Sequence, residues 1–441
     1  MLTVMTRSTA PANSATREFL VRNGVAHRWL DIDVDVLGQF CDLRSRLEAF
    51  RLPLVLFDDG SQLQAPASFQ NPISGAFDEA YELAAMATMQ WRTELASRAG
   101  LPTRPSRDAY DLMVIGGGPA GLTAAVYGAS EGLRTLLIER DSPGGQAGTS
   151  ALIENYLGFP DGLSGAELAD RAHAQAQRFG VEILRGVAAI GRPGPKGGKP
   201  QITLSSGVDV QSTAAILAMG IVWRRLEGPG LDTFVGRGIT YGSSPGEAAA
   251  LVGKSVIVVG AGNSAGQAAL HLAKVAKRVT MIVRADNLAK SMSHYLVERI
   301  RVTGNIDVLL ETNVLSADGD DRLASVMLSV RDDECKMPID AMFVLIGGEP
   351  LTRSVEGWLR RDERGYLMTG VDLVNRADRR RWWPLERDPM PLESSEPGAF
   401  VAGDLRHGSV KRVASAVGEG AMAIQLVHHY LASLDVSAKD G

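Results

Sequence analysis

Two stretches of this sequence carry glycines at a spacing suited to phosphate chemistry. The first, Gly116-Gly117-Gly118-Pro119-Ala120-Gly121, follows the apolar run Leu112 to Ile115 and precedes a segment in which Leu122, Ala125, Val126 and Ala129 share one helical face. Gly116 permits a tight turn, Gly118 lets the backbone approach a pyrophosphate, and Gly121 lets the helix pack closely on the strand. The helix N-terminus then faces the phosphates with unpaired N–H groups and the positive end of its dipole. The next strand, Thr135 to Ile138, ends in Glu139, 18 residues beyond Gly121, where a carboxylate can accept the hydroxyls of an adenosine ribose. The second stretch, Gly260-Ala261-Gly262-Asn263-Ser264-Ala265, follows the strand Ser255 to Val259 and leads into a helix through His271. Its next strand, Val279 to Val283, ends in Arg284, which cannot accept ribose hydroxyls and can bind a 2′-phosphate.

A glutamate at one strand tip and an arginine at the other imply two cofactors. The assignment is FAD on Gly116, Gly118, Pro119, Ala120, Gly121 and Glu139, and NADPH on Gly260, Gly262, Asn263, Ser264, Ala265 and Arg284. Hydride would pass from nicotinamide to flavin, with the protein supplying position and electrostatics. Arg284 is followed by Ala285-Asp286 and then Lys290, so NADPH is preferred and NADH stays open.

The elements that must position these groups fit a chain of 441 residues, which has room for two to four domains. Hydrophobic content of 45% and charged content of 22% are those of an ordinary globular protein, and a net charge of −5 carries no nucleic-acid signature. No apolar run reaches the length of a membrane span and no signal-peptide pattern is evident, so a cytoplasmic location is expected. Cys41 and Cys335 are the only cysteines, too far apart to indicate a disulfide framework or a metal site, and each is expected as a small buried side chain.

Further along, the loops Gly144-Gly145-Gln146 and Glu154-Asn155-Tyr156-Leu157-Gly158-Phe159-Pro160 resemble the thioredoxin reductase branch of the flavin disulfide reductases. Ala399-Phe400-Val401-Ala402-Gly403-Asp404 and Lys411-Arg412-Val413 extend that resemblance, which runs almost continuously from residue 109 to 431. It implies that Gly145, Gln146 and Asn155 lie against the isoalloxazine and that Asp404 binds the ribityl chain. Lys411, Arg412 and Val413 would begin a closing helix aimed at the flavin N1–C2=O edge. Gly228-Pro229-Gly230 and Gly347-Gly348 would be hinges, and a homodimer with a swinging nicotinamide domain is implied. Met219 in Ala218-Met219-Gly220 departs from the family's usual threonine.

The largest departure concerns thiols. The family places a redox-active Cys-x-x-Cys directly after a tyrosine, where this chain reads Tyr241-Gly242-Ser243-Ser244-Pro245-Gly246-Glu247. No cysteine occurs between residues 42 and 334, so an internal disulfide is excluded. Glu247 stands near the acid that follows the cysteines in the family and is a candidate proton donor beside the flavin; an exposed glutamate at a helix start is the alternative. At the N-terminus, a helix capped at Asn23-Gly24, a strand from Ala26 to Ile32 and a second strand from Leu52 to Asp59 resemble the glutaredoxin and thioredoxin fold. The Cys-Pro-x-Cys position there holds Ala10-Pro11-Ala12-Asn13, which rules out disulfide exchange. A docking or dimerisation surface and a plain packing appendage both remain open.

The expected fold is α/β, with two Rossmann-like domains, the FAD domain split by an inserted NAD(P)H domain, and an N-terminal thioredoxin/glutaredoxin-like domain. The boundaries are 1–100 for the N-terminal domain, 101–108 for a proline-containing linker, 109–230 and 346–441 for the FAD domain, and 231–345 for the NAD(P)H domain. The expected function is an FAD-dependent NAD(P)H oxidoreductase passing electrons to an unidentified external acceptor, with a small redox protein as a candidate. One alternative is a ferredoxin or flavodoxin reductase, suggested by Arg379-Arg380-Arg381 beside Trp382-Trp383 and weakened by the lack of an aromatic C-terminal extension. Those tryptophans would otherwise fold onto the body. A non-catalytic redox sensor is the third reading. His407 has no expected role, with a proton relay as the alternative.

Overall fold

The structure is a computed structural model that describes residues 1–7, 13–31, 50–67, 79–150, 152–190, 201–241, 251–331, 333–374 and 379–437. In the N-terminal unit, β1 (Leu2–Thr6) runs parallel to β2 (His27–Asp31) and antiparallel to β3 (Leu54–Leu56), which pairs with β4 (Gln62–Gln64). Helices α1 (Asn13–Arg22) and α2 (Glu79–Arg98) cover this sheet, and Val4, Phe19, Leu20, Val55, Trp91 and Leu95 form its core. α1 stops where Gly24 takes φ +66°, a left-handed conformation that glycine adopts without strain.

The first nucleotide domain is a parallel sheet centred on β5 (Ala109–Ile115). β5 lies between β6 (Thr135–Glu139) and β10 (Asp209–Leu217), with β7 (Glu182–Arg185) beyond β6. β8 (Ala189–Ile190) and β9 (Gln201–Leu204) extend the β10 side antiparallel, and β21 (Ala399–Val401) pairs parallel with β10. Strands buried on both faces read as continuous apolar runs, as Leu112–Ile115 does. Helices α3 (Pro119–Ser130), α4 (Gly165–Arg178) and α7 (Val413–Ser437) pack on this sheet through Leu122, Ala125, Ala176, Ala423 and Ile424.

The chain crosses out through β11 (Ile221–Trp223) and returns through β20 (Gly348–Pro350), and the two crossings pair antiparallel. Between them lies a parallel sheet in the order β12 (Ile239–Tyr241), β19 (Ala341–Val344), β13 (Ser255–Val259), β14 (Arg278–Ile282), β15 (Ile306–Leu309). Helices α5 (Asn263–Leu272) and α6 (His294–Val302) cover it, and an antiparallel sheet of β16 (Thr312–Gly319), β17 (Leu323–Val330) and β18 (Asp333–Pro338) completes the unit.

Several expectations change. Cys335 is exposed: it lies on β18, which pairs with β17 at the outside of its sheet and of whose residues Met337 alone is part-buried against a core. α7 begins at Val413 instead of Lys411, because the Arg412 carbonyl accepts the Ala416 N–H at 3.0 Å and so makes Arg412 the cap. The segment 101–108 is irregular yet anchored, since Leu101 and Thr103 are buried and the Pro102 carbonyl accepts the Arg185 N–H at 2.9 Å. Trp383 is buried and donates to the Arg387 carbonyl, while Arg387 forms a two-pronged pair with the buried Glu393 at 2.7 and 2.8 Å; this tryptophan folds onto the body. Glu247, Ser243, Ser244, Cys41 and Ala10 to Ala12 lie outside the described residues.

Candidate nucleotide sites

The first glycine turn is fixed by close approaches. Gly116 has φ +105°, and a Cβ there would stand 2.5 Å from the Ala218 carbonyl oxygen. A Cβ at Gly121 would stand 1.8 Å from the Gly116 carbonyl oxygen, so the start of α3 meets the end of β5 with no room for a methyl. Gly118 differs: a Cβ there would meet nothing within 4 Å. It precedes Pro119 at the start of α3 and offers no side-chain cap, which leaves the first N–H groups of the helix facing free space.

Four other segments converge on this turn. Gly144 donates its N–H to the Gly117 carbonyl at 2.7 Å, and a Cβ on Gly145 would lie 3.0 Å from the Gly118 Cα. Glu139 is buried and accepts from the Gly117 N–H at 2.6 Å and the Asp141 N–H at 2.8 Å. Burial, and then the neighbouring Asp141 charge, raise its pKa. Gly403 lies so near Ala120 that a Cβ would come within 3.0 Å of the alanine methyl, which brings Asp404 beside the turn. Gly420 of α7 lets that helix pass 2.3 Å, by its absent Cβ, from the Ala120 carbonyl oxygen. Burial raises the Asp404 pKa, and Lys411 opposes that shift.

Lys411 is exposed, yet its ammonium is bonded to the Asp404 carbonyl and to Ser409 Oγ at 2.6 Å and lies 4.4 Å above the Tyr366 ring. It thus sits in the loop before α7 and supports Asp404. Gln146 opens the short helical turn Ala147–Thr149 directly after Gly145. Arg412 is exposed, and Asn155 is exposed on a loop closed by the Ile153 and Leu163 bridge, outside this cluster. Its neighbour Glu154 pairs with Arg299 of α6 at 3.0 and 3.1 Å, which ties that loop to the second nucleotide domain. His407 Nδ1 lies 2.7 Å from Asp362 Oδ2, an orientation the sequence did not disclose.

The second turn repeats the first. Gly260 has φ +140°, its Cβ would stand 2.3 Å from the Leu345 carbonyl oxygen, and Gly262 meets nothing within 4 Å at the uncapped start of α5. Ala265 is buried, and Asn263 Oδ1 accepts the Ser293 N–H at 2.7 Å. Ser264 and Arg284 are exposed, and Lys290 pairs with Asp286 at 2.6 Å. Among the described residues no group of acids, histidines and cysteines gathers as metal ligands, and no helix is long and apolar enough to cross a membrane.

Both turns fit a dinucleotide: each has an uncapped helix start, an empty space at the middle glycine and a charged residue at or just past the next strand tip. Sequence reasoning missed the cluster around Asp141, whose partners Arg22 and Arg92 come from the N-terminal unit. No local pattern could signal it, since the partners are distant in sequence.

A family model described as pyridine nucleotide-disulphide oxidoreductase matches residues 110–420. The chain is 31% identical to thioredoxin reductase of Bacillus subtilis over 334 residues, 75% of this chain and 97% of that one. It is 32% identical to thioredoxin reductase 1 of Saccharomyces cerevisiae over 334 residues, 74% of this chain and 98% of that one. Among solved structures, Lactococcus lactis thioredoxin reductase, in a form titled FR conformation, aligns with TM-score 0.65 at 28% identity over 74% of this chain and 99% of that one. Thioredoxin reductase of T. acidophilum aligns with TM-score 0.64 at 26% identity over 74% of this chain and the whole of that one. A match of this length carries the family's cofactors, FAD and NADPH, and its two Rossmann-like domains. On the fold, the paired turns and these matches together, the chain belongs to the pyridine nucleotide-disulphide oxidoreductase family.

Proposed function

We propose that this protein is an FAD-dependent NADPH oxidoreductase that delivers electrons to an external acceptor without an internal dithiol. The carrying observation is the pair of intact glycine turns, one followed by buried Glu139 and the other by exposed Arg284, in a chain whose only cysteines are Cys41 and Cys335. FAD, when bound, accepts two electrons as hydride from the nicotinamide. The chain's own residues hold the parts. The α3 start and Gly118 receive the pyrophosphate, Glu139 accepts from the ribose, and the Gly144–Gln146 loop and Asp404 flank the remainder of the site. Lys411 offsets the Asp404 charge, and Arg284 is exposed where a 2′-phosphate would arrive. Glu247 keeps its proposed role as a proton donor.

Anaerobic mixing of the flavoprotein with NADPH and with NADH tests this, read at the flavin band near about 450 nm. Rapid bleaching with NADPH, slower with NADH, is expected; no bleaching by either would overturn the reading. A small redox protein is the proposed class of acceptor, by likeness to the thioredoxin reductases. A homodimer is also proposed. A cavity of about 360 Å³ between α3 and α4 is lined by Tyr156 and Phe159, and Leu157 in the same loop is 93% exposed, which supports an apolar contact there. A redox-sensor reading is favoured by one observation, the seating of the N-terminal unit on the loops around Glu139. The ferredoxin-reductase reading loses support, since Trp383 is folded into the body.

A further inference from the structure

The N-terminal unit rests on the two loops that flank the first glycine turn. Arg22, the last residue of α1, donates from Nη2 to the Gly145 carbonyl at 3.0 Å, and Gly145 is the residue pressed against Gly118. Asn23 donates to the Asp141 carbonyl at 3.0 Å. Arg92 of α2, itself buried, forms an ion pair with the Asp141 carboxylate, which Arg140 also holds at 3.0 Å. Thr93 donates to the Gly186 carbonyl at 2.8 Å and lies 2.7 Å from Ser205 Oγ. The fit is tight: a Cβ on Gly186 would stand 2.6 Å from the Ala96 methyl and 2.9 Å from the Phe19 ring. Such a buried, hydrogen-bonded seat differs from the loose contact expected of a swinging carrier domain.

Asp141 stands two residues beyond Glu139 and is bonded to it through its N–H. Burial opposes the Asp141 charge, while Arg92, Arg140 and Arg22 together keep the carboxyl below its ordinary range. Without the two arginines from the N-terminal unit, an ill-compensated anion would lie beside Glu139, and the Gly144–Gln146 loop would lose a tether.

We propose that the N-terminal unit is a fixed part of the FAD site. Arg92 and Arg22 are positioning residues that hold the β6 tip and the Gly144–Gln146 loop in the arrangement that binds FAD. Docking of the unit and binding of FAD therefore strengthen each other, and such coupling is reciprocal. The inference rests on the FAD placement given under the proposed function.

The test uses the full chain, deflavinated and titrated with FAD by quenching of flavin fluorescence, with circular dichroism as a check on folding. Arg92→Met is expected to raise the FAD dissociation constant about tenfold or more, as for a partly buried carboxylate left without its partner. Arg22→Met is expected to raise it less, and Asp141→Asn added to Arg92→Met to recover much of the loss. A purely structural role would lower the melting temperature of the apoprotein and leave FAD affinity unchanged. That outcome, or failure of Asp141→Asn to recover affinity, overturns the proposal. Glu139→Gln separates the two readings: unchanged FAD affinity there sinks the FAD placement itself. The wild-type protein gives an independent reading, since FAD added to the apoprotein should slow trypsin cleavage at the exposed Arg107 between the domains. Unchanged cleavage would also overturn the coupling.

Discussion

At their first glycines the two nucleotide turns share one construction. Gly116 and Gly260 have φ of +105° and +140°, and a methyl on either would strike the carbonyl at the end of a neighbouring strand segment. Beyond that point they diverge. The turn at Gly116 is enclosed by the Gly144–Gln146 loop, by Gly403, by α7 and, at one remove, by the N-terminal unit, with Glu139 only 6% exposed. The turn at Gly260 is roofed mainly by its own sheet and α6, and its strand-tip Arg284 is solvated. The contrast is the one the proposed function calls for, a resident cofactor at the first turn and a visiting one at the second. A site that several segments must close around favours retention, while an open strand tip favours exchange.

The largest effect is expected where the turns differ in sequence: Gly121 of the first is matched by Ala265 in the second, while Gly262 is matched by Gly118. Gly121→Ala would set a Cβ 1.8 Å from the Gly116 oxygen and is expected to cost about 3 kcal/mol or more, giving colourless or insoluble protein. Gly262→Ala meets no protein atom within 4 Å, so the melting curve should stay put while NADPH binding weakens about tenfold. Thermal melts and nucleotide titrations of both variants check the pair, and equal damage to folding would erase the distinction.

A second difference lies in proton chemistry. Burial and the Asp141 charge raise Glu139 above its ordinary value of 4.5, and the ionised carboxylate is the stronger acceptor for ribose hydroxyls. FAD affinity should therefore begin to fall on acidification while the pH is still above 4.5. Asp141, with its pKa lowered, keeps its pair with Arg92 through that range. The second site has an arginine in place of the acid, so NADPH affinity should lack this step. Fluorescence titrations across the acid range distinguish the two, and a flat FAD profile would count against Glu139.

The smallest effect expected is at Arg284. With its side chain in water, Arg284→Ala should raise the KM for NADPH about tenfold at most, leave that for NADH unchanged and not touch stability. Lys290 is paired with Asp286, so the compensation available from that side is limited.

Much of the scaffold was legible from local pattern. The strands at Leu112 and Ser255 and the glycine turns follow from apolar runs and glycine spacing, which are properties of neighbouring residues. Gly228-Pro229-Gly230, expected as a hinge, instead packs against β16, where the Pro229 carbonyl accepts the Ala317 N–H at 2.9 Å, and the crossing runs through β11. What escaped was tertiary. Cys335 reads as a small apolar residue until β18 is seen to be a largely solvated outer strand. Lys411 reads as the start of a helix, yet its ammonium is claimed by the Asp404 carbonyl and the Tyr366 ring, and the helix begins two residues later. The Asp141 cluster joins residues 49 and more positions apart in the chain, a separation over which sequence periodicity carries no information.

The antiparallel pairing of β11 with β20 has a mechanical consequence. Both covalent links between the nucleotide domains run side by side, with Ile221 opposite Pro350 and Trp223 opposite Gly348. A two-stranded ribbon yields readily to twisting about its long axis, whereas splaying it would break the backbone bonds that join its strands. The connection therefore behaves as a torsion bar, and any large reorientation of one domain against the other is channelled into a rotation about a single axis.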